Sequence, residues 1–355
     1  MKNLTIRKTI AIALLSLTSA SAFAVPKITG SPTIVTPDLL TWPSELAQAK
    51  PNLTEPTANR LNDLHGQIGR CDMVLSTAGN YHMALREMWK GYLDQYADSL
   101  DIKTAYYTTS PPISPAQTTN SVVQFGNLSL NCVPQIAVGP KKLMKKLNKL
   151  AVTDGKPTKI LKNYGNVMLV KKGNPKNIKS VWDLGRDDVT LVTPNPKKEA
   201  GSFGNFSGSI YNIAKNDPKP PKGITAEKLF DSIFNDDQSN CGKAGKKCRW
   251  VAGKRIMHRE QPWAVYSGNA DAGFIFYHLA LYFVRTFPNE FEIVPLGGTA
   301  DAPKPVKGNK VGVLQAVRIK GDWSKKQKAA QEQLLKEFQS DAFTKTLSKH
   351  GIRRP

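Results

Sequence analysis

The chain lacks most of the patterns on which enzyme chemistry rests. Its five histidines, His65, His82, His258, His278 and His350, are scattered, and no H-E-x-x-H pair occurs, so a zincin-type site is excluded. No G-x-x-x-x-G-K-[ST] loop is present to cradle nucleotide phosphates. Gly204-Asn205-Phe206-Ser207-Gly208 has the wrong spacing for a G-x-S-x-G nucleophile elbow. His258-Arg259-Glu260 supplies the H-x-E of zinc deaminases, but no P-C-x-x-C follows it. The expectation is a protein that is not an enzyme and needs no cofactor or metal. His82 and His278 read as packing or surface residues.

Acidic residues are also scarce: 28 Asp and Glu stand against 50 Lys and Arg, for a formal net charge of +22. An anionic ligand or surface is the partner this favours. Lysine runs such as Lys141-Lys142 and Lys145-Lys146 read as solvated surface. Long apolar runs are absent. Ile10 to Leu17 is too short to span a bilayer. It follows the basic Lys2, Arg7 and Lys8 and precedes Ala22-Phe23-Ala24, which together read as a signal peptide over residues 1–24. Its removal would lower the net charge from +22 to +19. The first cysteine after this segment is Cys71, too distant for a lipid anchor. The mature chain is therefore expected to be exported, soluble and periplasmic, which argues against a nucleic-acid partner.

Only four cysteines are present, which in an exported chain suggests two disulfides. Three pairings are possible. Cys241 and Cys248 bracket the loop GKAGKK, where local pairing is easiest, leaving Cys71 with Cys132. C-x-x-C pairs of structural zinc modules are missing.

What is present is an alternation of strand and helix patterns. Residues 25–60, rich in Pro and Thr, read as an extended arm wrapping the first unit. Strands are expected at 72–77, 102–109, 132–138, 164–171, 189–193, 272–276 and 311–319. Helices are expected after Asn80, where Leu85, Met88, Trp89, Tyr92 and Tyr96 recur at helical spacing, and over 226–234, 262–267 and the C-terminal segment. The alternation implies an α/β protein with parallel sheets.

The run VMLVKKGNPKNIKSVWDL, Val167 to Leu184, joins a strand, a Gly173-Asn174-Pro175 turn and a capping box at Ser180 and Asp183. It resembles the hinge region of periplasmic solute-binding proteins, and most of all the molybdate-binding class of the type II fold. PNPKKEAGSFGNF resembles the segment before a ligand-contacting helix start. VYSGNADAGFIF resembles their SGEADAGIVY, and LLKEFQSDAFTKTLSKHGI their closing helix. The resemblance runs from Cys71 to Pro355. It implies two lobes, each with a parallel-sheet core, and a ligand cleft between them. Lobe 1 would comprise residues 61–167 and 309–355, and lobe 2 residues 168–308. In that fold the strands beginning near Cys71 and Cys132 are neighbours.

The resemblance also implies a ligand set. In lobe 1, Ser76, Thr77, Gly79 and Asn80 match the first serine-bearing loop, and Thr108, Thr109 and Ser110 the second. In lobe 2, Ala200, Gly201 and Ser202 match a segment whose backbone amide contacts an oxyanion, and Met257 to Gln261 a further contacting segment. There His258 and Arg259 add charge that a neutral-donor site does not need. The tyrosine of GIVY is replaced by Phe276, with Tyr277 one position on. The function implied is capture of a small, molybdate-like anion for the permease of an ABC importer, by a monomer. The alternatives are a binder or sensor of a small organic acid or phosphorylated compound, and a basic cell-envelope scaffold.

Overall fold

The computed structural model describes residues 25–37, 40, 67–68, 71–77, 79–108, 113, 115–118, 121–125, 128–235, 241, 248–254 and 256–355. Its strands are β1 (Thr33–Ile34), β2 (Gln67–Ile68), β3 (Met73–Ser76), β4 (Ala105–Thr108), β5 (Val122–Phe125), β6 (Leu128–Asn131), β7 (Ile136–Pro140), β8 (Thr153–Lys162), β9 (Asn166–Lys171), β10 (Leu191–Thr193), β11 (Trp250–Ala252), β12 (Ala272–Phe276), β13 (Phe291–Val294) and β14 (Val313–Ile319). The α-helices are α1 (His82–Tyr96), α2 (Lys141–Lys149), α3 (Ala200–Lys215), α4 (Ala226–Phe234), α5 (Met257–Tyr266), α6 (Tyr277–Thr286), α7 (Lys325–Glu337) and α8 (Asp341–Lys349). No described helix is long and apolar enough to cross a membrane.

The strands form a five-stranded sheet in the order β4-β3-β7-β14-β8, a six-stranded sheet in the order β1-β11-β10-β12-β9-β13, and a small β2-β6-β5 sheet. Each larger sheet is parallel except for one strand. β14 runs against β7 and β8, and β9 runs against β12 and β13. Both are strands that arrive directly from the other sheet, without a helical crossover to turn them round. The chain thus passes from β8 through 163–165 into β9, and returns through 307–312 into β14.

Residues buried on both faces explain the cores. Val167, Met168, Leu169 and Val170 of β9 and all five residues of β12 are buried, the pattern of strands covered on both sides. Phe203, Phe206 and Ile210 of α3 and Leu229, Phe230 and Ile233 of α4 pack over this sheet. On the smaller sheet, Leu85, Met88, Trp89 and Tyr92 of α1 pack with Leu334 of α7 and Phe343 of α8. The two disulfides are Cys71–Cys132, with Cα atoms 4.9 Å apart, and Cys241–Cys248, at 4.7 Å. The first ties the approach to β3 to the end of β6, the central strand of the small sheet. On the chain-entropy account a loop of that length is worth about 4 kcal/mol.

Several elements differ from expectation. The described arm, 25–37, lies on the larger sheet, not on the first: β1 pairs parallel with β11. The reason is chemical complementarity. Thr29 N donates to Asn235 Oδ1 at 2.6 Å, Asn235 Nδ2 donates to the Lys27 carbonyl, and Thr36 Oγ1 donates to Glu260 at 2.9 Å. The third strand begins at Ile136, not Cys132, because Gln135 turns its side chain onto β3, accepting from Val74 N. The helix placed at Pro262 begins at Met257, so Pro262 lies inside it. The C-terminal segment is two helices, broken where Ser340 caps the second. Ser180 and Asp183 form the expected capping box, but over a 3-10 turn, Val181–Gly185.

Candidate functional site

The single reversed strand in each sheet locates the cleft. β9 begins at Asn166, opposite Phe276 at the end of β12, and β14 begins beside Pro140 at the end of β7. The C-terminal ends of the parallel strands therefore face the connecting segments in both halves. Loops at such ends are where open α/β sheets bind ligands.

The two connections run side by side and are fastened by asparagines. Asn163 Oδ1 accepts from Gly165 N and Gly312 N at 3.0 and 2.8 Å. Its Nδ2 donates to the Tyr81 hydroxyl at 2.9 Å. Asn309 forms a reciprocal pair with the Asn166 backbone, at 2.9 and 2.8 Å. Asn166 Nδ2 in turn donates to Ser209 Oγ on α3 at 2.9 Å. Asn163, Asn166 and Asn309 are all nearly fully buried. None of these was singled out from the sequence. The grouping Asn163-Tyr164-Gly165-Asn166 between two strand patterns is the signal that was there to read.

On the first-sheet side, Ser76 ends β3 and Thr77 follows it; they are 2% and 0% exposed. Thr77 shares a hydrogen bond with Tyr107, whose hydroxyl burial pushes up to about 12. Gly79 is buried and Asn80 half-buried, in the 3-10 turn that leads into α1. Thr108 ends β4. Thr109 and Ser110 lie outside the described residues.

On the other side, Ala200 and Gly201 are exposed and Ser202 half-buried, in the first turn of α3. Amides in a first turn have no acceptor within the helix and carry its positive dipole end. Asn195 organises the preceding turn by accepting from Lys197 N and Lys198 N. The two sides meet here: Asn80 Nδ2 lies 3.5 Å from Ser202 Oγ. They meet again where His278 Nε2 donates to the Asn80 carbonyl at 2.7 Å, its ring stacked on Tyr81 at 4.6 Å. Burial lowers the His278 pKa to about 4, so the ring is neutral at pH 7.

The start of α5 is different in kind. Glu199 accepts from Met257 N at 2.8 Å, and the buried Glu260 accepts from Ile256 N and Lys254 N at 2.8 and 3.0 Å. Two carboxyl groups of the chain thus occupy the amides at this helix start. Burial and the neighbouring Glu260 raise the Glu199 pKa to about 7, against the hydrogen bond from Met257 N. This acid, adjacent to Ala200, was not foreseen. His258 and Arg259 follow Met257 in the first turn of α5. His258 lies across from His82, with ring centroids 5.4 Å apart. Arg259 is exposed and forms no ion pair among the described residues; Glu260 turns inward instead. Phe276 packs against Tyr81 and Phe206, and Tyr277 opens α6, so the expected offset within a strand is instead a strand-to-helix boundary. Among the described residues no group of three or more His, Cys, Asp or Glu side chains is placed to hold a metal ion.

No curated protein sequence matches the chain. An ABC transporter substrate-binding protein from Bradyrhizobium japonicum is 12% identical, with 82% of this chain and 83% of that chain covered and a TM-score of 0.52. The periplasmic molybdate-binding protein of Azotobacter vinelandii is 14% identical over 80% and 99% of the chains, with a TM-score of 0.48. The sulfate-binding protein SubI of Mycobacterium tuberculosis is 15% identical over 82% and 87%, with a TM-score of 0.49. Residues 136–353 match the family described as bacterial extracellular solute-binding protein, and the chain belongs to that family.

Proposed function

We propose that the chain is exported behind residues 1–24 and works as a monomer that captures a small anion between two lobes for an ABC importer. Lobe 1 would be residues 61–167 with 309–355, and lobe 2 residues 168–308. The observation that carries the reading is the approach of Asn80 to Ser202 at 3.5 Å. It brings the loop after β3 against the first turn of α3, where an amide of Asn80, a hydroxyl of Ser202 and backbone N–H groups offer donors without formal charge. Donors of this kind suit an oxyanion at a helix start. The start of α5 is a poorer anion site, because Glu199 and Glu260 already fill it.

The test is a thermal-shift and calorimetric screen of the mature protein against molybdate, sulfate, phosphate and small carboxylates. A true solute at 100 times its Kd stabilises by about 2.7 kcal/mol. Asn80→Ala and Ser202→Ala should each weaken an oxyanion tenfold or more, since a hydrogen bond to a charged acceptor is worth roughly 1.5–3 kcal/mol. Unchanged affinity in both would remove the anion from this cleft. A second reading, an organic acid or phosphorylated compound, is favoured by one observation: Arg259 is exposed at the same cleft without an ion pair among the described residues.

A further inference from the structure

A cavity of about 250 Å³ opens where the start of α1 faces α5 and α6. Its walls are apolar: Met83 from α1, Leu279, Phe283 and the ring of Tyr282 from α6, and Phe287 just beyond. Met83 packs into the core of the larger sheet although it belongs to the other side, so the cavity spans the two halves. The polar groups lining it are His82, His258 and Arg259, and none of the lining residues is acidic. His82 Nδ1 lies 2.9 Å from the Gly79 carbonyl. A carbonyl only accepts, so Nδ1 carries the proton and Nε2 is left as an acceptor. Burial lowers the pKa of both imidazoles, that of His258 to about 4, so both are neutral at pH 7. One permanent cation, Arg259, therefore stands at the mouth of an apolar chamber.

An inorganic oxyanion gains nothing from five apolar side chains, and a polyanion would find one guanidinium in the lining where it needs several cations. A guanidinium fork matches a single carboxylate in two parallel hydrogen bonds. The volume is below that of a drug-sized pocket and suits one ring or a short branched chain. We infer that this cavity takes the apolar body of a small organic monocarboxylate, aromatic or branched aliphatic, with its carboxylate on Arg259. The inference rests on the solute-capture reading of the same cleft and names the class of solute.

The test uses the mature full-length chain, with benzoate and isovalerate as probes and molybdate and sulfate as comparators, followed by calorimetry. Benzoate or isovalerate should bind, and benzyl alcohol, which lacks the charge, should not. Arg259→Gln should weaken the carboxylate at least tenfold. Tyr282→Ala, at a position 42% exposed and so tolerant of change, should weaken benzoate but leave the unliganded melting temperature in place. If molybdate or sulfate binds while both carboxylates fail, the inference is overturned and solute capture stands. If a carboxylate binds equally well to wild type and Arg259→Gln, the inference is also overturned. If neither class binds, capture of small anions falls and the inference with it.

Discussion

At the scale of the residue, three side chains carry separate predictions. Asn163 satisfies two backbone amides and the Tyr81 hydroxyl in a site with no water access, at 0% exposure. Asn163→Leu would leave three groups unpaired, two of them buried, and should cost roughly 2–4 kcal/mol in chemical denaturation. His278 is depressed to about 4, so the unfolded chain binds the proton first as pH falls. Its contribution is complete above the ordinary histidine value near 6.5 and is lost between there and about pH 4. Wild type should lose on the order of 3 kcal/mol across that window from this group, and His278→Gln should flatten the profile. Glu199 is raised to about 7 beside the α3 start. An anion held there is repelled by the carboxylate form, so oxyanion affinity should rise as pH falls from 8 to 6, and Glu199→Gln should bind tightly throughout. Equal slopes for the two proteins would separate Glu199 from the ligand.

At the scale of the element, legibility followed the cause of each structure. α1, α4 and β12 were readable because burial imposes a regular period on their apolar residues, as Leu85, Met88, Trp89 and Tyr92 show. β8 was missed because it is an edge strand. Residues 154–159 are mostly exposed, Gly155 and Pro157 interrupt the pattern, and its register with β14 shifts twice. α5 was cut short because Pro262 looks like a first helical residue, whereas Glu260 and Glu199 supply the start five residues earlier. The described part of the arm, 25–37, was expected on the other sheet because Thr33–Ile34 is too short to announce a partner. Its seat is tight: a Cβ on Gly30 would collide with the Phe234 carbonyl. Gly30→Ala should therefore destabilise by about 1–3 kcal/mol, read as a lower thermal midpoint, while deleting residues 25–31 should lower it further. The candidate site was legible only in outline. Strand ends pointed to Asn80 and Ser202, and Glu199 stands three residues before Ser202, but nothing local announces that its carboxyl turns to the start of α5 or that His278 reaches Asn80 from α6.

At the scale of the whole molecule, two sheets are joined by two adjacent connections and touch again at Asn80, Ser202 and His278. The proposed capture requires bending about the connections at 163–165 and 307–312, and a solute held from both sides would bias that bending. All four cysteines are paired, with none left free, so introduced thiols can be labelled cleanly. Lys145 on α2 and Lys219 beyond α3 are exposed and lie on opposite sides of the connections. The most direct measurement is the spin-label distance distribution between Lys145→Cys and Lys219→Cys, with and without the solute found by calorimetry. Capture between the lobes predicts a broad distribution that narrows toward shorter distances as solute saturates, and a loss of that narrowing with Asn80→Ala. A solute that binds at full stoichiometry and leaves the distribution unchanged would contradict capture between the lobes.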